Sequence, residues 1–153
     1  MKAYRITNAQ YANTAFDGDA SKVHGGRWNS PGHAVVYLAD HPATAGFEIL
    51  AHARGVQLLI NHYVFFEAEI PDDLILMIDL ANLPPGWDAN PHTNASTDFG
   101  DAWLTSMASL ALYVPSTVVP RAFNILINPD HPDFDKMTID SPEPFRFDRR
   151  LVE

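Results

Sequence analysis

The stretch Gly25-Gly26-Arg27-Trp28-Asn29-Ser30-Pro31-Gly32 sets one fixed cation beside an indole and a side-chain amide, among residues that permit tight backbone. A guanidinium is planar, always charged at neutral pH and able to donate two parallel hydrogen bonds, which suits phosphate or carboxylate. The same spacing also fits a plain hairpin connection, with Pro31-Gly32 as its turn. Glu48 falls beside Phe47 at the edge of an apolar helical stripe, an awkward place for a carboxylate without a partner. It reads either as a solvated helix carboxylate or as a charge facing a cleft. His52 follows one turn later on the same face. No third ligand shares that spacing, so a metal site is not expected. Ser116, in Val114-Pro115-Ser116-Thr117, has no Gly-x-Ser-x-Gly elbow around it. It is either a hydrogen-bond donor to a ligand or an ordinary strand serine. Tyr37 is either core or a stacking wall for a flat ring. His131 lies in Asn128-Pro129-Asp130-His131-Pro132, where Asn and Asp side chains commonly hold the turn.

These residues need elements to place them. Tyr4-Arg5-Ile6 predicts a short strand, residues 7–24 a loop, and 34–39 a buried strand. Pro42 suits a first helical position, and the helix is expected to run to about Arg54 with Gly55 as its stop. Ala43, Phe47, Leu50 and Ala51 would form its buried stripe. Residues 56–70 predict one long strand or two short ones, and 74–80 another. The segment 82–97, with Pro84-Pro85-Gly86 and Asn90-Pro91, predicts an irregular surface loop and a candidate lid or contact surface. A helix over 97–112, with Phe99, Ala102, Trp103, Met107, Leu110 and Ala111 inward, precedes strands at 113–119 and 123–127. A strand or two with a charged tail ends the chain from 134 to 153. Glu67 and Glu69 read as the solvated side of their strand. Strands and helices do not alternate regularly, which favours an α+β fold with a bent, mainly antiparallel sheet and two principal helices over a doubly wound sheet.

The chain has 153 residues, 46% hydrophobic and 19% charged, which predicts one globular domain over 1–153. A net charge of −9 argues against direct nucleic-acid binding, because that needs clustered Lys and Arg. The absence of cysteine removes disulfides, thiolate nucleophiles and Cys-based zinc sites. No stretch has the apolar length of a membrane span, and Met1-Lys2-Ala3-Tyr4-Arg5-Ile6 lacks the pattern of a secretory signal. The expectation is a soluble cytoplasmic protein.

Taken together, Gly25-Gly26-Arg27-Trp28-Asn29 with Gly32, Val36-Tyr37-Leu38, Thr44-Ala45-x-x-Glu48 and His52 resemble the N-terminal half of the RES domain family. Trp103, Val114-Pro115-Ser116 and Asn124-x-x-x-Asn128-Pro129-x-His131-Pro132 resemble its C-terminal half. The name-giving Arg, Glu and Ser match Arg27, Glu48 and Ser116. The resemblance implies a fold similar to ADP-ribosyltransferases. It also implies a toxin of a type II toxin–antitoxin pair whose partner is an Xre-like helix-turn-helix antitoxin, with an oligomer within that complex left open. The implied activity is NAD+ consumption by cleavage of the nicotinamide–ribose bond, as a glycohydrolase or phosphorylase. A protein ADP-ribosyltransferase, a non-enzymatic binding module and a metal hydrolase using His24, His52 or His131 are the alternatives.

On that basis Arg27, with Arg5, is expected to hold the pyrophosphate, and Tyr37, with Trp28 second, to flank the nicotinamide. Ser116 is expected to meet the carboxamide. Glu48 is expected to stabilise the positive ribose that forms when nicotinamide leaves. Asn29 and His131 are further candidate NAD+ contacts. NAD+ is the substrate, no metal is expected, and Arg27 and Glu48 are expected at opposite ends of one pocket.

Overall fold

The computed structural model describes residues 1–53 and 55–152. Its frame is one eight-stranded sheet. The strands are β1 (Lys2–Asn8), β2 (Val36–Ala39), β3 (Tyr63–Glu69), β4 (Ile75–Met77), β5 (Ala111–Pro115), β6 (Phe123–Ile127), β7 (Thr138–Ile139) and β8 (Glu143–Phe145). They run in the order β4-β5-β6-β2-β1-β3-β7, and β8 also pairs with β3. Among the described residues only β4 and β5 pair in parallel; the other pairings are antiparallel. The helices are α1 (Asp19–His24), α2 (Pro42–His52), α3 (Gln57–Ile60) and α4 (Asn94–Ser106), with α2 and α4 the two long ones. This is the expected α+β architecture, a curled sheet of mainly antiparallel strands.

Strand alternation gives the sheet two apolar faces. One buries Ala3, Val36, Leu38, Ala68, Ala111, Ile125 and Ile127 under Phe16 and Met137. The other carries Tyr37, Leu112, Val114 and Leu126 beneath Trp28, Trp103 and Leu104. That second face continues over Ile6 and Ala39 to Ala45 and Ile49 of α2. Both long helices therefore cover the face that holds the Tyr37 ring.

Local readings differ from the structure where tertiary partners overrule periodicity. α2 begins at Pro42 as expected, with His41 as its cap: the ring Nδ1 accepts from the Ala43 N–H at 3.1 Å. It is rotated about one residue from the expected stripe, roughly 100°. Phe47 is 51% exposed and Ala43 and Ala51 are exposed, while Thr44, Ala45 and Gly46 are buried. The rotation brings Glu48 inward to a hydrogen-bond partner, which the apolar count could not register. The helix ends at His52 with Ala53 as cap, so the expected end at Arg54 lies outside the described residues. Residues 57–60 form α3, not strand. The expected loop at 7–24 holds a 3-10 turn, Ala9–Thr14, and α1.

α4 starts three residues earlier than expected, capped by Thr93, and stops at Met107 (φ 53°) instead of continuing to Leu112. Its end is set from outside the helix. Asn128 Nδ2 donates to the Leu104 carbonyl at 3.3 Å, and the His131 ring bonds the Met107 carbonyl at 3.1 Å. Leu110 and Ala111 are buried as expected, but Leu110 precedes β5 and Ala111 opens it. Ala102 and Met107, expected inside, are exposed. The tail contributes β7, β8 and two 3-10 turns, Phe134–Lys136 and Arg149–Leu151, and Glu153 lies outside the described residues.

Candidate active site

Glu48 and Ser116 come together from elements far apart in sequence. The Ser116 hydroxyl donates to Glu48 Oε1 at 2.9 Å. Ser116 Oγ also accepts from the N–H groups of Val118 and Val119, each at 3.1 Å. Ser116 is 8% exposed and all its hydrogen-bonding capacity is spent within the protein. Its side chain therefore has no hydrogen-bonding capacity free for the expected carboxamide contact. Among the described residues Glu48 Oε2 has no hydrogen bond. One oxygen is bonded by Ser116 and the other is without a hydrogen bond to a described residue.

Arg27 stands on the Gly25–Pro31 loop. Its Nη1 donates to the carbonyls of Trp87 (3.1 Å) and Ala89 (2.8 Å). Those two bonds tie the loop to the irregular 82–93 segment, whose Trp87 also stacks on Trp28 at 6.0 Å. Nε and Nη2 carry no hydrogen bond to a described residue. These two form the side-on fork suited to a bidentate anion.

Tyr37 joins this loop to β2. Its hydroxyl donates to Asn29 Oδ1 at 2.6 Å and accepts from the Trp28 N–H at 3.1 Å. Burial pushes its phenol pKa up, so it stays neutral. Its partly buried ring lies on the helix-covered face of the sheet. A Cβ on Gly26 would stand 2.7 Å from the Tyr37 hydroxyl, which explains the second glycine by close approach.

The remaining candidates are placed elsewhere or are fully engaged. Trp28 is 2% exposed, packed between Trp87 and Phe99, and is core instead of a wall for a ligand ring. Asn29 is 0% exposed; its Nδ2 donates to the carbonyls of Ser21 and His33 and its Oδ1 is taken by Tyr37. It locks the loop and has no capacity left for NAD+. His131 Nδ1 accepts from the Asp133 N–H at 3.1 Å while Nε2 faces the Met107 carbonyl. Both ring nitrogens hold a turn, so His131 is a structural residue here. Arg5 pairs in register with Phe66, which turns it to the face opposite the Tyr37 ring. Its Nη1 donates to the Tyr37 carbonyl at 2.8 Å, its buried Nε has no partner, and desolvation lowers its pKa to about 10. It stays charged at neutral pH and braces Tyr37 from behind. His52 is exposed.

Distances across the sheet follow from register. Tyr37 aligns with Leu126 and Leu112, and Ala39 with Asn124 and Val114. Ser116 is four residues beyond Leu112 and two strands from Tyr37, so their Cα atoms are about 16 Å apart. Asn124 lies between them on the same face. Arg27 and Glu48 thus flank one stretch of sheet, and two cavities lie beside it. The larger, about 520 Å³, is an open depression bounded by Phe47, Leu50, Leu58, Val118 and Leu151. The smaller, about 150 Å³, is bounded by His33, Leu104, Asn128 and Asp130. Neither is lined by Arg27 or Glu48. No group of three His, Asp or Glu is arranged to hold a metal among the described residues, and no helix there is long and apolar enough to cross a membrane.

Sequence reasoning missed Asp101 and Gly100 of α4. Asp101 accepts from the Ser30 N–H at 3.0 Å and from the Ser30 hydroxyl. Gly100 packs on the Trp28 backbone. A helix read for its apolar stripe gives no signal for either.

The α+β sheet thus carries a loop with Arg27 and a Glu48 carboxylate bonded to Ser116. The family described as RES domain matches residues 2–148, and the chain belongs to it. A Toxin Res of Yersinia enterocolitica is 37% identical over 152 residues, covering 99% of both chains. A Toxin Res of Photorhabdus laumondii is 33% identical over 155 residues, covering 100% of this chain and 98% of that one. A Prs ADP-ribosylating toxin of a Sphingobium species is 38% identical over 138 residues, covering 88% of this chain and 85% of that one.

Proposed function

We propose that this chain is a toxin that consumes NAD+ by breaking the bond between nicotinamide and ribose. The observation that carries the reading is the Glu48 carboxylate, held at one oxygen by Ser116 and open at the other, in a chain of the RES family. The name of the Sphingobium relative, an ADP-ribosylating toxin, supports NAD+ as the substrate.

The residues divide the work as follows. The Nε–Nη2 fork of Arg27 receives the pyrophosphate, and the Tyr37 ring flanks the nicotinamide. As the bond from ribose C1′ to the pyridinium nitrogen breaks, its electron pair leaves with nicotinamide, which departs neutral. Positive charge then builds on the ribose, and Glu48 Oε2 stabilises it electrostatically. Water or phosphate attacks C1′; with water, the proton passes to solvent. The open face accepts a ligand that completes its own enclosure. The cognate partner is an Xre-like helix-turn-helix antitoxin in the cytoplasm, which silences the toxin by covering this face.

A second reading, favoured by the name of the Sphingobium relative, puts a protein side chain in place of water. Incubation with NAD+ labelled in the ADP-ribose part separates the two. Free ADP-ribose or its phosphate supports the first, and label retained on protein supports the second. Glu48→Gln keeps shape and removes charge, and should lower kcat by roughly 10²- to 10³-fold. A wild-type rate in that variant would remove Glu48 from the chemistry.

A further inference from the structure

We propose that Asp101 is the positioning residue for Arg27: through Ser30 it fixes where the guanidinium fork stands, and so sets affinity for a pyrophosphate-bearing ligand. This rests on the reading of Arg27 as the anion site. The loop is gripped from two sides. From β2, the Tyr37 hydroxyl holds one side, donating to Asn29 Oδ1 and accepting from the Trp28 N–H. From α4, adjacent residues hold the other. A Cβ on Gly100 would fall 1.7 Å from the Trp28 carbonyl oxygen, so backbone meets backbone there. Asp101 takes both donors of Ser30, one on each carboxylate oxygen. Arg27 and Trp28 are therefore suspended between a sheet anchor at Tyr37 and a helix anchor at Asp101.

Among the described residues the carboxylate has no close cation to explain it as an ion pair. Its nearest basic neighbour is His33 Nε2 at 4.0 Å, at the outer limit for a pair. Its partners are a backbone N–H and a hydroxyl of the arginine loop. Charge-assisted bonds of this kind are short and directional, as a positioning contact requires. Asp101 and Arg27 also act on the same phenol with opposite sign, Asp101 raising and Arg27 lowering the pKa of Tyr37. The carboxylate thus lies in the same electrostatic neighbourhood as the fork without bonding it.

Three variants and two readouts test this. Asp101→Ala removes both bonds and should raise KM for NAD+ by about 10- to 30-fold, with kcat changed less than about threefold. Asp101→Asn can still accept the Ser30 N–H and donate to its hydroxyl, so it should restore KM to within about threefold. Combined with Arg27→Lys, Asp101→Ala should add less than about threefold, because both changes act on one interaction. An unchanged KM in Asp101→Ala, or fully additive losses in the double variant, would overturn the proposal. If the wild-type protein neither binds nor consumes NAD+, the functional reading fails, and Asp101 is judged by amide hydrogen exchange. Asp101→Ala should then speed exchange at Arg27, Trp28 and Ser30 while α4 stays protected, and unchanged exchange in the loop would sink it.

Discussion

Replacing Ser116 by alanine separates two roles for the residue that differ only in which partner the hydroxyl serves. Its Oγ–H donates to Glu48 Oε1 at 2.9 Å while Oγ accepts from Val118 and Val119 N–H. In Ser116→Ala the carboxylate loses its one hydrogen bond to a described residue, and two amides lose their acceptor. A hydrogen bond to a charged group contributes about 1.5–3 kcal/mol. If that energy keeps Glu48 in its productive orientation, kcat falls by about 10- to 150-fold. KM should stay within about threefold, because the hydroxyl never touches substrate. Steady-state kinetics of NAD+ loss read both constants, and Ser116→Thr, which keeps a hydroxyl, should recover part of kcat. A raised KM with intact kcat would place the hydroxyl on the ligand and refute the orienting role. Loss of fold, seen by circular dichroism, would show that the two amides matter more than the carboxylate.

Two other perturbations follow from the arginine loop. Arg27→Lys keeps the charge and loses the planar fork, so KM for NAD+ should rise about tenfold or more, and an unchanged affinity would take Arg27 off the pyrophosphate. Gly100→Ala forces a methyl group onto the Trp28 carbonyl, since its Cβ would fall at 1.7 Å. Backbone cannot yield as a side-chain tip would, so a loss of about 2–3 kcal/mol is expected, lowering Tm by roughly 5–10 °C. A wild-type melting curve would mean that α4 and the loop do not meet as described.

The sequence alone determined the α+β class, the two long helices and most strands, because strand alternation and turn residues are local signals. The resemblance to the RES family singled out Arg27, Glu48 and Ser116, because read alone each residue also had an ordinary structural explanation. Their partners were decided only by folding. α2 turned Phe47 outward because Glu48 found Ser116, 68 positions away. Trp28, Asn29 and His131 looked free to bind a ligand until packing consumed their rings and amides. Arg5 lies near Tyr37 but on the other face of the sheet, a difference of one residue in register. Asp101 and Gly100 carried no sequence signal, because their importance lies in a loop 71 residues earlier than Asp101. Residue chemistry is written locally, whereas hydrogen-bond capacity left over for a ligand depends on every neighbour that the fold brings near.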